Sequence, residues 1–183
     1  MENLTTIKPD SINPTSPSEV TFCLYTQVMH RALNHFNTKI GTMSSPISID
    51  SLVEQNIKGI PQFCPSDVFK ITLQLENVTK GEQIQLYYIK IQNGSKSSDP
   101  NISWDSIFQN TTEPQFTQAP DGSLFITPSS SDGSTACSIS LTINDTITVG
   151  YDLLYTILFS YTNPNGKSFF FSIDPLMKIS SST

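Results

Sequence analysis

Two histidines, three cysteines and a scatter of loop aspartates are the side chains of this chain best equipped for chemistry. His30 and His35 stand five residues apart. A metal-binding pair on a helix usually stands four apart, so that both rings share one face. A spacing of five turns them about 140° from each other. The pair reads as two polar-face side chains. Cys23 and His30, seven apart, would share a face, but two ligands do not make a metal site. Cys23, Cys64 and Cys137 are odd in number and widely spaced, which is no disulfide framework. They read as buried small hydrophobes, with one disulfide plus a free thiol as the alternative. A cysteine hydrolase would need a thiol marked by an adjacent base, and nothing local marks one. Gly-x-Ser-x-Gly, a phosphate-cradling glycine loop and Cys-x-x-Cys do not occur. The expectation is a protein that is not an enzyme and needs no cofactor or metal.

Binding chemistry has more to work with. Asp99, Asp105, Asp121, Asp132, Asp145 and Asp152 fall in or near turns. Carboxylates with loop carbonyls can hold calcium. Aspartate is also an ordinary turn residue, and no helix-loop-helix calcium spacing is present. Trp104, Phe108, Tyr87 and Tyr88 lie near polar loops, where an aromatic ring can stack on a sugar or belong to the core. The candidate ligand set is Trp104, Asp99, Asp105 and Asp121, for a carbohydrate held with or without calcium.

The elements that must position these residues are mostly strands. From Val68 the apolar period is two: Phe69, Ile71, Leu73 and Leu75 share one face. A turn at Val78–Gly81 leads to a second strand, with Ile84, Leu86, Tyr88 and Lys90 on one side and Tyr87, Ile89 and Ile91 on the other. Trp104, Ile107 and Phe108 form an apolar island, followed by a loop over Gln115–Gly122. Short strands are expected at Leu124–Thr127 and Thr146–Val149, and a longer one at Ala136–Ile143. The chain closes with a hairpin of Asp152–Tyr161 and Ser168–Ile173 around Asn163-Pro164-Asn165-Gly166, where Asn-Gly tolerates positive φ at both positions. Alternation sets Tyr155, Ile157, Phe159 and Tyr161 on one face, and Phe169, Phe171 and Ile173 on one face of the partner strand. Two such aromatic rows require cover.

Helices are expected in the first third. Ser16-Pro17-Ser18-Glu19 is a capping pattern, and Phe22, Tyr25, Met29, Ala32, Leu33 and Phe36 follow at helical spacing. Val20, Phe22 and Leu24 also alternate as in a strand, but the capping pattern decides for an amphipathic helix over residues 17–37. A second capping pattern at Ser51–Glu54 marks a short helix over 52–58. Residues 1–15 read as an extended arm, and 16–183 as a single domain. The fold class is mainly β: an antiparallel β-sandwich, jelly-roll or immunoglobulin-like, carrying those two helices.

Net charge is −6 and Arg31 is the sole arginine, with the lysines unclustered, which speaks against nucleic acid as a partner. No apolar run is long enough for a transmembrane segment. The first residues lack the pattern of a cleaved secretory signal. The expected location is cytoplasmic, with export by a signal-free route left open.

The close of the chain resembles that of the bacterial AidA/PixA inclusion-body family. Tyr155–Tyr161, a glycine-containing turn, and Phe169-Phe170-Phe171-Ser172-Ile173 running into Asp174-Pro175 carry the likeness, which spans residues 155–179. That family opens with an aliphatic strand where this chain shows a capping pattern. The resemblance implies a β-sandwich, no enzymatic role, and a tendency to accumulate or assemble; it carries no site residues. The expected function is binding or self-assembly as a homo-oligomer. A carbohydrate-binding, lectin-like module is the first alternative, and a toxin-like protein that rearranges at a membrane is the second.

Overall fold

The Phe69–Leu75 alternation lies in β4 (Val68–Glu76), and all four of its predicted inward residues are buried. β4 is the centre of a three-stranded sheet in the computed structural model of the chain. The described residues are 18–35, 41–49, 62–94, 102–129, 133–148, 150–174 and 176–179. On one side of β4 runs β8 (Ala136–Thr142), antiparallel, pairing Ile139 with Ile71 and Leu141 with Phe69. On the other side runs β1 (Ser18–Tyr25), parallel.

β1 corrects the expected helix over 17–37. The alternation of Val20, Phe22 and Leu24 prevails there, because Phe22 and Leu24 face the core beside Leu73 and Leu75. A paired strand buries that row better than one helical stripe, so tertiary packing overrides the local capping signal. The helix proper, α1, is Thr26–His35, with Met29 and Ala32 buried. The parallel β1–β4 pair also corrects the purely antiparallel expectation: both sheets are mixed. The arm over 1–15 and the short helix over 52–58 lie outside the described residues.

The larger sheet is built around β9 (Tyr151–Thr162), which contains the first strand of the expected closing hairpin. β10 (Ser168–Ile173) and β11 (Leu176–Ile179) pair with the two halves of β9 in one unbroken antiparallel register, Ile173 opposite Ile157 and Leu176 opposite Leu154. Asp174 belongs to no strand, and the same register is taken up again at Leu176. Short parallel partners flank it: β2 (Ile47–Ser48) on β10 and β3 (Gln62–Phe63) on β11. Across β9 lies β5 (Gln83–Asn93), then β7 (Leu124–Ile126) and β6 (Phe116–Gln118). β6 occupies part of the stretch expected to be loop. Thr146 to Thr148 form no strand, contrary to expectation. The hairpin turn differs in detail: among its residues only Gly166 takes positive φ, at 75°, while the Asn163 carboxamide accepts from the N–H groups of Asn165 and Lys167.

Both sheets contribute to one core. Phe63 meets Phe69 at 4.4 Å between ring centroids, and Phe69 meets Tyr155 at 6.0 Å. Tyr155, Ile157, Phe159, Tyr161, Phe169 and Phe171 are all buried, as strand alternation required. A short 3-10 turn, Trp104–Ser106, brings Trp104, Ile107 and Phe108 into this core.

Candidate functional site

The ligand set expected from sequence does not assemble. Trp104 is 4% exposed; its indole N–H donates to the Gly122 carbonyl at 2.9 Å and its ring stacks on Phe108. Its faces are spent on the core, so it offers no sugar a platform. The same burial removes Phe108. Asp105 is exposed and accepts from the Thr111 hydroxyl. Asp121 is exposed and accepts from the Ser123 hydroxyl and amide and from the Lys90 ammonium at 3.1 Å. Asp99 lies outside the described residues. The Trp104 bond to Gly122 does bring the 3-10 turn beside the Asp121 turn. Among the described residues, no group of three or more carboxylate, histidine or cysteine side chains is placed to hold a metal. The cysteines also depart from expectation: Cys64 is exposed, and Cys23 and Cys137 are half-buried.

Asp121 leads instead to a different constellation. Its partner Lys90 lies over the Phe125 ring, 5.6 Å from the centroid, and Phe125 meets Tyr88 at 5.1 Å. Tyr87 meets Phe170 at 5.2 Å and donates its hydroxyl to Gln85. All four rings are half-buried and lie on the outer face of the large sheet, away from the core.

A β-bulge makes this face. Leu86 pairs with Phe159, but Tyr88 pairs with Leu158, so Tyr87 is an extra residue in β5. A bulge shifts the side-chain phase by one. Ile84 and Leu86 before it, and Ile89 and Ile91 after it, therefore all face the core. The two adjacent tyrosines come to share the outer side. Simple alternation had put Tyr88 with Leu86 and Ile89 with Tyr87. The signal was present: two apolar rows one residue out of phase within a single strand. Beneath the rings, Leu158, Ser160 and Ser172 are buried, and Leu158 stands apart from the main core cluster.

Sequence reasoning missed a second polar cluster. Glu82 has a fully buried side chain. It accepts from the Thr79 amide at 2.6 Å and from the Tyr161 hydroxyl. His30 of α1 approaches both, its Nε2 at 2.8 Å from the Tyr161 oxygen and 3.4 Å from the carboxylate. Because Tyr161 spends its proton on Glu82, its oxygen must accept, and His30 carries a proton on Nε2. Burial alone would raise Glu82, but the bonds from Tyr161 and Thr79 and the charge of His30 outweigh it, holding the carboxyl below its ordinary range. Tyr161 is pushed up, first by burial and then by the bond and charge of Glu82. Only His30 of the three side chains meets solvent to any extent. A buried, fully bonded carboxylate has no room for a substrate, so the cluster works as a clamp between α1, the β4–β5 turn and β9. Its sequence trace is Thr79-Lys80-Gly81-Glu82, a Thr-x-x-Glu pattern closing a turn.

No helix among the described residues is long and apolar enough to cross a membrane. No protein-family model matches the chain, and no curated protein matches it. Among solved structures it is similar to the sixth cohesin of scaffoldin B from Acetivibrio cellulolyticus, solved in complex with a Cel5 dockerin. That similarity covers 67% of this chain and 94% of the cohesin, at 11% identity and a TM-score of 0.31.

Proposed function

We propose that this chain is a non-enzymatic β-sandwich, of the jelly-roll or immunoglobulin-like kind, whose work is binding. Its binding surface is the outer face of the large sheet. One observation carries this reading: the bulge in β5 turns Tyr87 and Tyr88 to the same side, between Phe170 and Phe125, and all four rings stay half-exposed. Folding needs one apolar side of a sheet. Large aromatic side chains on the other side are surplus to folding and are typical of recognition surfaces. The test is retention on immobilised glycans, peptides and lipid vesicles, for the native chain and for Tyr88→Ala. The reading expects at least one class to retain the native chain and to lose the variant. Retention of none, or retention indifferent to the tyrosine, removes it.

Self-assembly is favoured by a separate observation. The Leu75 amide bonds to Thr135 and the Ile143 amide to Asp67, in the phase that turns odd-numbered backbone groups of β8 toward β4. Even-numbered groups point outward. Ser134 exchanges bonds with Ile84, and Thr142 accepts from Gln109. Between those two pins, the outward N–H and C=O groups of Ser138 and Ser140 have no partner among the described residues. The strand carries no charge and no proline to blunt this edge. Light scattering over a concentration series tests the reading. A rise in mass that Ser138→Lys abolishes supports it; a strict monomer throughout removes it.

A further inference from the structure

We infer that the outer face of the large sheet takes carbohydrate chains, with Tyr87 and Tyr88 stacking on the C–H faces of pyranose rings and Lys90, Asp121 and Gln85 meeting their hydroxyls. This rests on the reading of that face as the binding surface and names its ligand class. The ring face of an aromatic side chain is electron-rich, and a pyranose offers it a row of positively polarised C–H bonds. Tyrosine supplies that contact at little entropic cost because its side chain has few rotors. Here the rings are further held by neighbours: Tyr87 leans on Phe170 with 47° between planes, and Tyr88 meets Phe125 at 66°. In such tilted pairs the edge of one ring meets the face of the other, so neither pair closes every ring face.

The arrangement favours a chain of sugars over a single one. Phe170, Tyr87 and Tyr88, and Phe125 belong to β10, β5 and β7, with β9 lying between the first two strands. Three inter-strand spacings of about 4.8 Å give a strip of about 14 Å. Polar side chains stand within the strip and not only around it. Gln85 shares a cross-strand row with Ser160 and Phe170, and Lys90 lies directly opposite Phe125. A protein hot spot instead gathers its apolar residues at the centre behind a polar rim. The Lys90–Asp121 pair, at 3.1 Å, is neutral as a unit, which fits an uncharged ligand better than an anionic one. A sugar presents the same alternation of apolar face and hydroxyl edge.

The experiment is calorimetric titration of the full chain with soluble cellohexaose, xylohexaose, chitohexaose and maltohexaose. At least one is expected to bind, and Tyr87→Ala and Tyr88→Ala are each expected to weaken it about tenfold, in line with the loss of one stacked ring. Tyr88→Phe keeps the ring and should bind within about twofold of the native chain, which separates loss of stacking from loss of fold. Gln74→Ala, exposed on β4 of the other sheet, should change nothing. If none of the four oligosaccharides binds, or if binding ignores both tyrosines, the sugar assignment is overturned. A peptide or vesicle retained in a Tyr88-dependent way, with no sugar bound, would overturn the ligand class while leaving the surface itself in place. Retention indifferent to Tyr88 would remove both.

Discussion

The two sheets present the same kind of inner face and very different outer ones. Inside, both are rows of Ile, Leu and Phe at almost zero exposure. Outside, the three-stranded sheet is mostly small and polar: Thr21, Thr72 and Ser138 form one row across β1, β4 and β8, Lys70 lies opposite Ser140, and a half-buried Tyr25 stands at the end of β1 opposite Glu76. The outer face of the large sheet shows four aromatic rings. Packing dictates the inner rows, since an uncovered apolar row would stay in water. It makes no such demand of the outer rows, and Thr and Ser satisfy a strand as well as Tyr does. The proposed binding surface therefore lies where folding leaves the choice of residue open.

The largest expected effect lies on the shared inner face. Phe159→Ala should cost about 3–5 kcal/mol, and Ile71→Ala on the other sheet about 2–5 kcal/mol. Both side chains are fully buried. Urea titration of the two variants checks the claim that one core serves both sheets. A change within about half a kcal/mol for either would mean that its sheet packs on something else.

The clamp comes next. Tyr161→Phe leaves Glu82 buried without one of its donors, at a cost of about 1–3 kcal/mol. The pH dependence follows from the directions of the two shifts. Glu82 is lowered, so its contribution is present above the ordinary carboxylate range and is lost as pH falls through the lower, folded value. Tyr161 is raised, so its contribution is present below pH 10 and is lost as pH rises beyond it. In Tyr161→Phe the alkaline loss should shrink to the part that Tyr155, also raised by burial, supplies, and the acid loss should shrink because Glu82 loses one of the bonds that lower it. Thermal melts from pH 3 to pH 11 read both limbs, and an unchanged alkaline limb would refute the assignment.

Legibility in the sequence followed the same divide between what packing dictates and what it leaves open. β4, β8, β9 and β10 could be read because a period of two over six or more residues is a strong signal, and the inward residues that alternation names for β4, β9 and β10 are buried. β1 was misread because a local capping pattern competed with three alternating residues, and only the neighbouring β4 settles which wins. β2 and β3 are two residues each and carry no period at all. Trp104 looked like a loop aromatic because its burial depends on Gly122 and Phe108 rather than on any pattern around it. The outer strip needed the bulge, and a bulge is one residue that strict alternation cannot place. Glu82 meets Tyr161 across 79 positions of chain, a contact invisible to any local window.

A smaller effect separates the two outer faces directly. Tyr88→Ala removes a half-buried ring that helps cover Leu158, and should cost about 1 kcal/mol, the centre of the ordinary range for single substitutions. Ser138→Ala, exposed on the other sheet, should stay within about 0.5 kcal/mol. Urea midpoints of the two compare the faces on one scale. A loss of about 3 kcal/mol or more at Tyr88 would place that ring in the structural core and end its candidacy as a platform.

The smallest expected effect concerns Asp121, and it asks whether Lys90 is free to meet a ligand. The Asp121 carboxyl is held down at about 2, chiefly by the Ser123 hydroxyl and amide and only then by Lys90. Its folded value is depressed, so what it contributes is present above the ordinary value of 3.8 and is lost as pH falls toward 2. The side chain is exposed, so the global melt should not register it. Carbon-detected nuclear magnetic resonance of the carboxyl will. If the turn governs Asp121, Ser123→Ala moves the midpoint upward by more than Lys90→Gln does. Lys90 is then only loosely engaged, and its ammonium can turn to a hydroxyl on the strip without undoing the Asp121 turn. If Lys90→Gln moves the midpoint more, the ion pair governs. Lys90 is then committed to Asp121, and recognition on this face falls to the tyrosines and Gln85.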